Sequence, residues 1–306
     1  MTSSKISYGP HSFPGGPLRY IRTGNQEITL SDAHNQIQQT LFAAFDPASP
    51  HSLIHTIAPE LSDDKDFQIN LDFINWGNIQ LVYHVKLMGE NRQKEVTALI
   101  NQPHIPPHLI QQEYDNLQHL SQLQFQFVVK PYCFFQLNPP KEHAIYLTGY
   151  IENARCVFGG RGYPWGMFDP QPKYHFEAFS QNISSVIKST MIALLVMYYD
   201  QEKQQGIAQT QLSGDDFILT QDFSPSDPST ILPNMKLIAA RGFVKEPLEN
   251  YIQRLQREFV IGTHYTDTDV ITGTFKVNYK SGLPMTQNEI NQGIQLGLTL
   301  RQKHLS

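Results

Sequence analysis

The sequence predicts an α+β fold, a β-rich first half broken by one helix and followed by a mainly helical second half. Three observations carry this. From Phe67 to Ile100 apolar residues recur at every second position, the period of strands with one buried face. Between about Pro107 and Leu123 the residues Leu109, Ile110, Tyr114, Leu117 and Leu120 fall near helical spacing instead. Beyond Phe176 the pattern is helical in three long stretches, and strands do not alternate with helices as βαβ units require.

Each element follows in turn. Residues 1 to about 25 are rich in Ser, Gly and Pro, as in His11-Ser-Phe-Pro-Gly-Gly-Pro17, and read as a loosely ordered arm. Ser31-Asp32 offers a cap for a short helix through Asn35 to Phe45, with Leu41, Phe42 and Phe45 on one face; Pro47 and Pro50 end it. Phe67, Ile69, Leu71 and Phe73 make a first strand. Ile79, Leu81, Tyr83 and Val85 make a second, and Val96, Ala98 and Ile100 a third, the last two joined by the turn Met88-Gly-Glu-Asn-Arg92. Pro103, Pro106 and Pro107 break the chain before the helix. Two strand-like runs follow, Phe125 to Leu137 and Ala144 to Phe158, then a loop of Gly, Pro and aromatics from Gly159 to Lys173. The helical stretches are Phe176 to Gln204, Leu248 to Val260 and Thr286 to Lys303, and no internal repeat of fixed period is present.

Composition narrows the function classes. With 40% hydrophobic and 17% charged residues over 306 positions, the chain has ample material for a core. A net charge of −5 gives no pull toward nucleic acid or an anionic membrane. The opening residues lack the apolar stretch of a secretory signal, and the most apolar window, Met191 to Tyr199, is nine residues long, against the roughly 20 that span a bilayer. A cytoplasmic protein that binds neither nucleic acid nor membrane is the expectation. Cys133 and Cys156 lie in strand-like runs and read as buried reduced thiols.

The order of elements resembles the small lobe, hinge and large lobe of protein kinases and the related small-molecule phosphotransferases. Six motifs carry the likeness between about residues 65 and 260. Asn75-Trp-Gly-Asn-Ile-Gln-Leu-Val-Tyr83 resembles the glycine-rich loop entering the second strand, and Val96-Thr-Ala-Leu-Ile-Asn101 the third strand with its V-A-I-K lysine. Gln112-Glu-Tyr-Asp-Asn-Leu-Gln-His-Leu120 resembles the αC helix, with Glu113 as the lysine's partner, and Tyr146 to Ala154 the fifth strand and hinge. In the second half, Gly206 to Leu219 is similar to a catalytic loop, and Lys236-Leu-Ile-Ala-Ala-Arg-Gly-Phe243 to the metal-binding strand-turn. The resemblance implies a bilobal kinase-like fold: residues 1–60 an arm and short helix, 61–155 a small β-rich lobe and hinge, 156–306 a mainly helical lobe.

Departures from the family pattern fall on the charged groups. Phosphoryl transfer is mostly positioning and charge neutralisation, so each loss removes a stated role. On the alignment the resemblance implies, the phosphate-binding lysine is Ile100, the catalytic base is Gln211 and the main metal-binding aspartate is Ala239. Glutamine cannot take a hydroxyl proton usefully at neutral pH, and alanine offers a metal nothing. Asp216 stands where the family has an asparagine for a second metal, and with Asp215 it is the candidate cation site; a plain Gly-Asp-Asp turn is the other reading. The glycine-rich loop keeps Gly77 alone, beside the bulky Trp76. If the alignment slips, Lys86 becomes the third-strand lysine. With Ile100 in the lysine's place, Glu113 has three fates: exposure, pairing with Arg241 from the metal turn or, as second choice, pairing with Lys86.

These residues point to a pseudokinase, a binding or regulatory protein with a degenerate nucleotide site that retains Gly77, Lys86, Glu113 and Arg241. ATP, with or without Mg²⁺, is the cofactor the resemblance implies. A divergent ATP-dependent kinase or AMP-transferring enzyme using Asp215 or Asp216, and an interaction protein unrelated to kinases, are the alternatives. For a protein partner the candidate contact is the loop Arg161 to Asp169, through Tyr163, Trp165, Met167 and Phe168, unless these aromatics fold inward. Asp267-Thr-Asp269 matches the D-x-D seen in nucleotide-sugar transferases but is too common a pattern to carry weight, and the twelve histidines do not cluster with acids or cysteines.

Overall fold

The computed structural model describes residues 20–23, 26–29, 39–46, 48–62, 67–76, 80–101, 105–123, 125–136, 143–152, 155–156, 185–208, 217–220, 228–240, 242–260, 264–268, 276–280 and 285–305. The architecture is mixed α+β, with an antiparallel sheet and several helices. Two compact units form, one from residues 1–111, 131–150 and 164–174, the other from 112–130, 151–163 and 175–306.

The first unit begins with a hairpin of β1 (Tyr20–Thr23) and β2 (Gln26–Thr29), where composition alone suggests a loose arm. The two residues between the strands in sequence are Gly24 and Asn25, a pair that favours two-residue hairpin turns. Next come helical segment α1 (residues 39–45), the single turn α2 (Ile54–Ile57) and a 3₁₀ turn at Pro59–Leu61. The main sheet contains β3 (Gln68–Trp76), β4 (Gln80–Met88) and β5 (Gln93–Asn101), then, after helix α3 (Pro107–Gln122), β6 (Pro131–Gln136) and β7 (Ala144–Gly149). All neighbours are antiparallel in the order β3-β4-β5-β7-β6, so β7 lies beside β5 and β6 takes the edge. Pro131 opens that edge strand, a position where its missing N–H costs no ladder bond.

The period-two pattern becomes a layer. Ile69, Leu71, Leu81, Tyr83, Val85, Leu87, Val96, Ala98, Ile100, Ile145 and Leu147 are buried on one face, packed with Leu41, Phe42, Phe45, Ile54, Ile57 and Leu61 from the helical segments. The Val, Leu, Ile and Phe side chains among them each contribute roughly 1.5–3 kcal/mol on burial. The other face of β4 and β5 carries a polar cluster. There Glu95 meets His84 at 3.1 Å and Lys86 at 3.4 Å, and the His84 ring stacks on Tyr150 at 3.8 Å. Asn101 secures the end of β5, donating to the Ile105 carbonyl (2.7 Å) and accepting from the Ala144 N–H (2.8 Å).

The second unit holds β8 (Arg155–Cys156), α4 (Ser185–Met197), β9 (Gln205–Ile207), β10 (Phe217–Leu219), α5 (Pro228–Asn234), β11 (Met235–Leu237), β12 (Phe243–Lys245), α6 (Leu248–Val260), β13 (His264–Thr268), β14 (Lys276–Lys280) and α7 (Gln287–Leu305). Helix α4 is its centre, buried from Ser189 to Met197. Helix α7 approaches it through Gly293 and Gly297, where an added Cβ would lie 2.4 Å from the Ser189 carbonyl oxygen and 2.8 Å from that of Ala193. At its start α7 has a reciprocal cap. The Glu289 N–H donates to Thr286 Oγ1 (3.2 Å) and the Thr286 N–H to Glu289 Oε2 (2.7 Å). Near its end the buried Arg301 donates to the carbonyls of Val196 (3.3 Å), Met197 (3.0 Å) and Tyr199, satisfying the open end of α4.

Two local expectations change. The helical reading of Phe176–Gln204 stops at Met197: Asp200 and Gln205 exchange main-chain hydrogen bonds of 2.8 and 3.0 Å, and the chain reverses into β9. Of Phe125–Leu137 the strand is Pro131–Gln136. The residues before it run beside β11, with Tyr198 Oη accepting from the Phe127 N–H at 2.8 Å. Helix α6 occupies the predicted Leu248–Val260. Among the described residues no helix is long and apolar enough to cross a membrane. Cys133 forms no disulfide and is partly buried, which pushes its thiol up to about 11.

Candidate functional site

Four short strands bring two loops together. β9 pairs with β12 through Ile207 and Phe243, and β10 pairs with β11 through Phe217 and Leu237, both antiparallel. Residues 208–216 join β9 to β10, and residues 238–242 join β11 to β12. Each end of one loop is therefore rooted beside an end of the other, and the Ala208 N–H donates to the Gly242 carbonyl at 2.8 Å. These are the segments that resemble the catalytic loop and the metal-binding turn. The three residues of β9 are held on a buried support. An added Cβ at Gly206 would lie 2.2 Å from the Tyr251 ring of α6, so only glycine lets this helix pack against β9.

The second loop rests on α3. Ala239 and Ala240 are buried, and Asn116 Nδ2 donates to the Ala240 carbonyl at 2.7 Å. Neither alanine carries an oxygen on its side chain. Glu113, one turn before Asn116 on the same helix, is 3% exposed, so the reading of it as a solvated helix residue is corrected. Arg241, Gln211, Asp215 and Asp216 lie outside the described residues, as do Gly77 and the loop residues Tyr163, Trp165, Met167 and Phe168. The described candidates fall elsewhere. Ile100, on β5, is fully buried in the first unit's core with Leu81 and Ile145 opposite it. Its neighbours Leu99 and Asn101 face the other side, so positions 99 to 101 hold no cation whichever face is considered. Lys86 lies on β4, the second strand of the sheet in chain order, and pairs with Glu95.

Sequence spacing does not reveal a further cluster beside the loop roots. His119, on the last turn of α3, has Asp200 Oδ2 3.2 Å from Nε2, Lys203 Nζ 3.1 Å from Nδ1 and the Phe243 ring edge-on at 5.2 Å. More than eighty residues separate the histidine from its partners, so no local pattern could flag it. Burial holds its pKa below the ordinary 6.5, and Lys203 adds to this against the opposing pull of Asp200. Lys236 on β11 is also lowered by burial, its ammonium donating to the Gln126 carbonyl at 2.5 Å. Among the described residues no three His, Cys, Asp or Glu side chains could together hold a metal ion. Asp267 lies on β13 opposite Val277, and Asp269 is outside the described residues.

Neither a protein-family model nor a curated protein matches the chain.

Proposed function

We propose that this chain is a catalytically degenerate member of the protein-kinase-like superfamily, a binding or regulatory protein that acts through a protein partner. In this reading the sheet unit is the small lobe of a bilobal fold and the second unit the large one. One observation carries the proposal: the two loops that resemble the catalytic loop and the metal turn are rooted side by side, yet the turn offers only alanine side chains where a metal ligand belongs. Three strands, one helix and two further strands in a single antiparallel sheet support the small-lobe assignment.

The stretch after the metal turn supports it further. Protein kinases carry a phosphorylatable activation loop there. Here α6 starts at Leu248, and of the residues from Gly242 to Pro247, three form β12. That leaves no platform for a peptide substrate. A cation site at Asp215 or Asp216 would make the chain an ATP-dependent transferase instead.

Thermal shift and calorimetry with ATP, with and without Mg²⁺, test this reading, since a ligand that binds the native state raises its stability by mass action. No Mg²⁺-dependent stabilisation and no ATP turnover are expected. Turnover that Asp216→Ala abolishes would replace the proposal with the transferase.

A further inference from the structure

We propose that His119 is a pH-sensitive latch that holds the end of helix α3 to the turn at residues 200–205, which leads into β9, the strand that roots the first loop. The lysine ammonium has only protons to offer, so Nδ1 must present its lone pair, 3.1 Å from Lys203 Nζ. The ring proton then sits on Nε2, aimed at Asp200 Oδ2 3.2 Å away. This arrangement exists only for the neutral imidazole. A second proton would set donor against donor and cation against cation at Nδ1.

Lys203 is the partner that can leave, because its side chain is 56% exposed while that of Asp200 is 8% exposed. The charged groups facing the ring are these two. β12 brings the apolar Phe243, the turn brings the uncharged Gln205, whose side-chain amide lies 3.3 Å from His119 Nε2 and must turn its oxygen to the proton there, and Asp115, four residues back on α3, is exposed. The turn that Lys203 helps to hold is already under backbone tension: Gln204 has φ 48, a left-handed value that a non-glycine residue rarely adopts. Gln205 begins β9, and Phe243, against the ring, begins β12. Protonation thus acts where the two loops are anchored. Because the folded state favours the neutral ring, the stabilisation is full above the ordinary value of 6.5 and is withdrawn as the pH falls through the lower folded value. The latch stands whatever the loops bind, and so does not depend on the kinase-like reading.

Two measurements on the full chain test it. The His119 Hε1 resonance, followed from pH 8 to pH 5, is expected to titrate below 6.5, to move up in Lys203→Met and down in Asp200→Asn. Hydrogen-exchange protection of amides 200–208 and 242–245, corrected for intrinsic rate, is expected to fall several-fold across the same range. It should stay level in His119→Gln, whose amide can accept from Lys203 and donate to Asp200 without gaining charge. A midpoint at or above 6.5, no response to Lys203→Met, or the same loss of protection in His119→Gln would overturn the proposal. If His119→Gln does not fold, the Lys203→Met titration alone decides.

Discussion

The side-chain amide of Asn116 donates to the main-chain carbonyl of Ala240 over 2.7 Å, joining two buried residues 124 positions apart. That single bond fastens the turn after β11 to helix α3 without any ligand. Asn116→Ala should leave the Ala240 carbonyl unsatisfied and cost about 1–3 kcal/mol in urea denaturation. Asn116→Asp should cost more at neutral pH, since a carboxylate would then face a carbonyl. A change within about 0.5 kcal/mol for the alanine variant would mean that water replaces the bond.

The next residue in sequence after Ala240 is Arg241, the expected partner of Glu113. A buried carboxylate needs a cation or several donors. We expect a Glu113–Arg241 ion pair, and a double-mutant cycle with Glu113→Gln and Arg241→Met should return a coupling above about 1 kcal/mol. Coupling below about 0.5 kcal/mol would reject the pair.

Gly293→Ala sets helix propensity against packing. Alanine gains about 1 kcal/mol over glycine in a helix interior. Its Cβ would press on the Ser189 carbonyl oxygen and on Ile192 Cβ, at 2.4 and 2.6 Å, and backbone cannot swing aside as a flexible side chain can. Overpacking costs about 1–3 kcal/mol, so the net effect should be destabilising by up to roughly 2 kcal/mol. A stabilised variant in thermal melts would show that α7 can move off α4.

Glu289 should govern part of the acid limb. Burial raises its pKa, but hydrogen bonds from Thr286 and Ser185 and the charge of Lys188 outweigh this and hold it below the ordinary 4.5. A depressed carboxylate contributes stability that is full above its unfolded pKa and is lost as the pH falls through the folded one. Glu289→Gln should therefore destabilise the protein at pH 7 and flatten the loss of stability below about pH 4.5, read from urea midpoints against pH. Parallel curves for the variant and wild type would assign the acid limb to other groups.

For the loop Arg161 to Asp169, Trp165→Ala with Phe168→Ala should leave the melting temperature nearly unchanged and weaken a protein partner. A stability loss of about 3 kcal/mol or more, usual for buried aromatics, would assign the loop to a core instead.

How far the sequence spoke depended on element length. The nine-residue strands β4 and β5 repeat their burial period often enough to be read directly, as Leu81, Tyr83 and Val85 show. Helix α6 was equally plain. The three-residue strands β9 to β12 contain too little period to read, although they build the candidate site. Tyr198 and Tyr199 extend the apolar run of α4 past its true end, because both are buried for tertiary reasons: their hydroxyls bind the carbonyls of Phe125 and Glu246. Glu113 was marked for pairing only by the motif around it, and His119 gave no local sign at all, since what surrounds it comes from distant segments.

The capping of α4 by Arg301 has a consequence for synthesis. Val196, Met197 and Tyr199 precede the guanidinium that binds their carbonyls by 102 to 105 residues, and the glycines that cover α4 are nearly as remote. At about 5–20 residues per second, the ribosome leaves this apolar helix uncovered for roughly 5–20 s. The nascent chain thus carries an exposed, aggregation-prone segment through the making of its last third, and its yield in cells should depend on chaperone capacity more than on the stability of the finished fold.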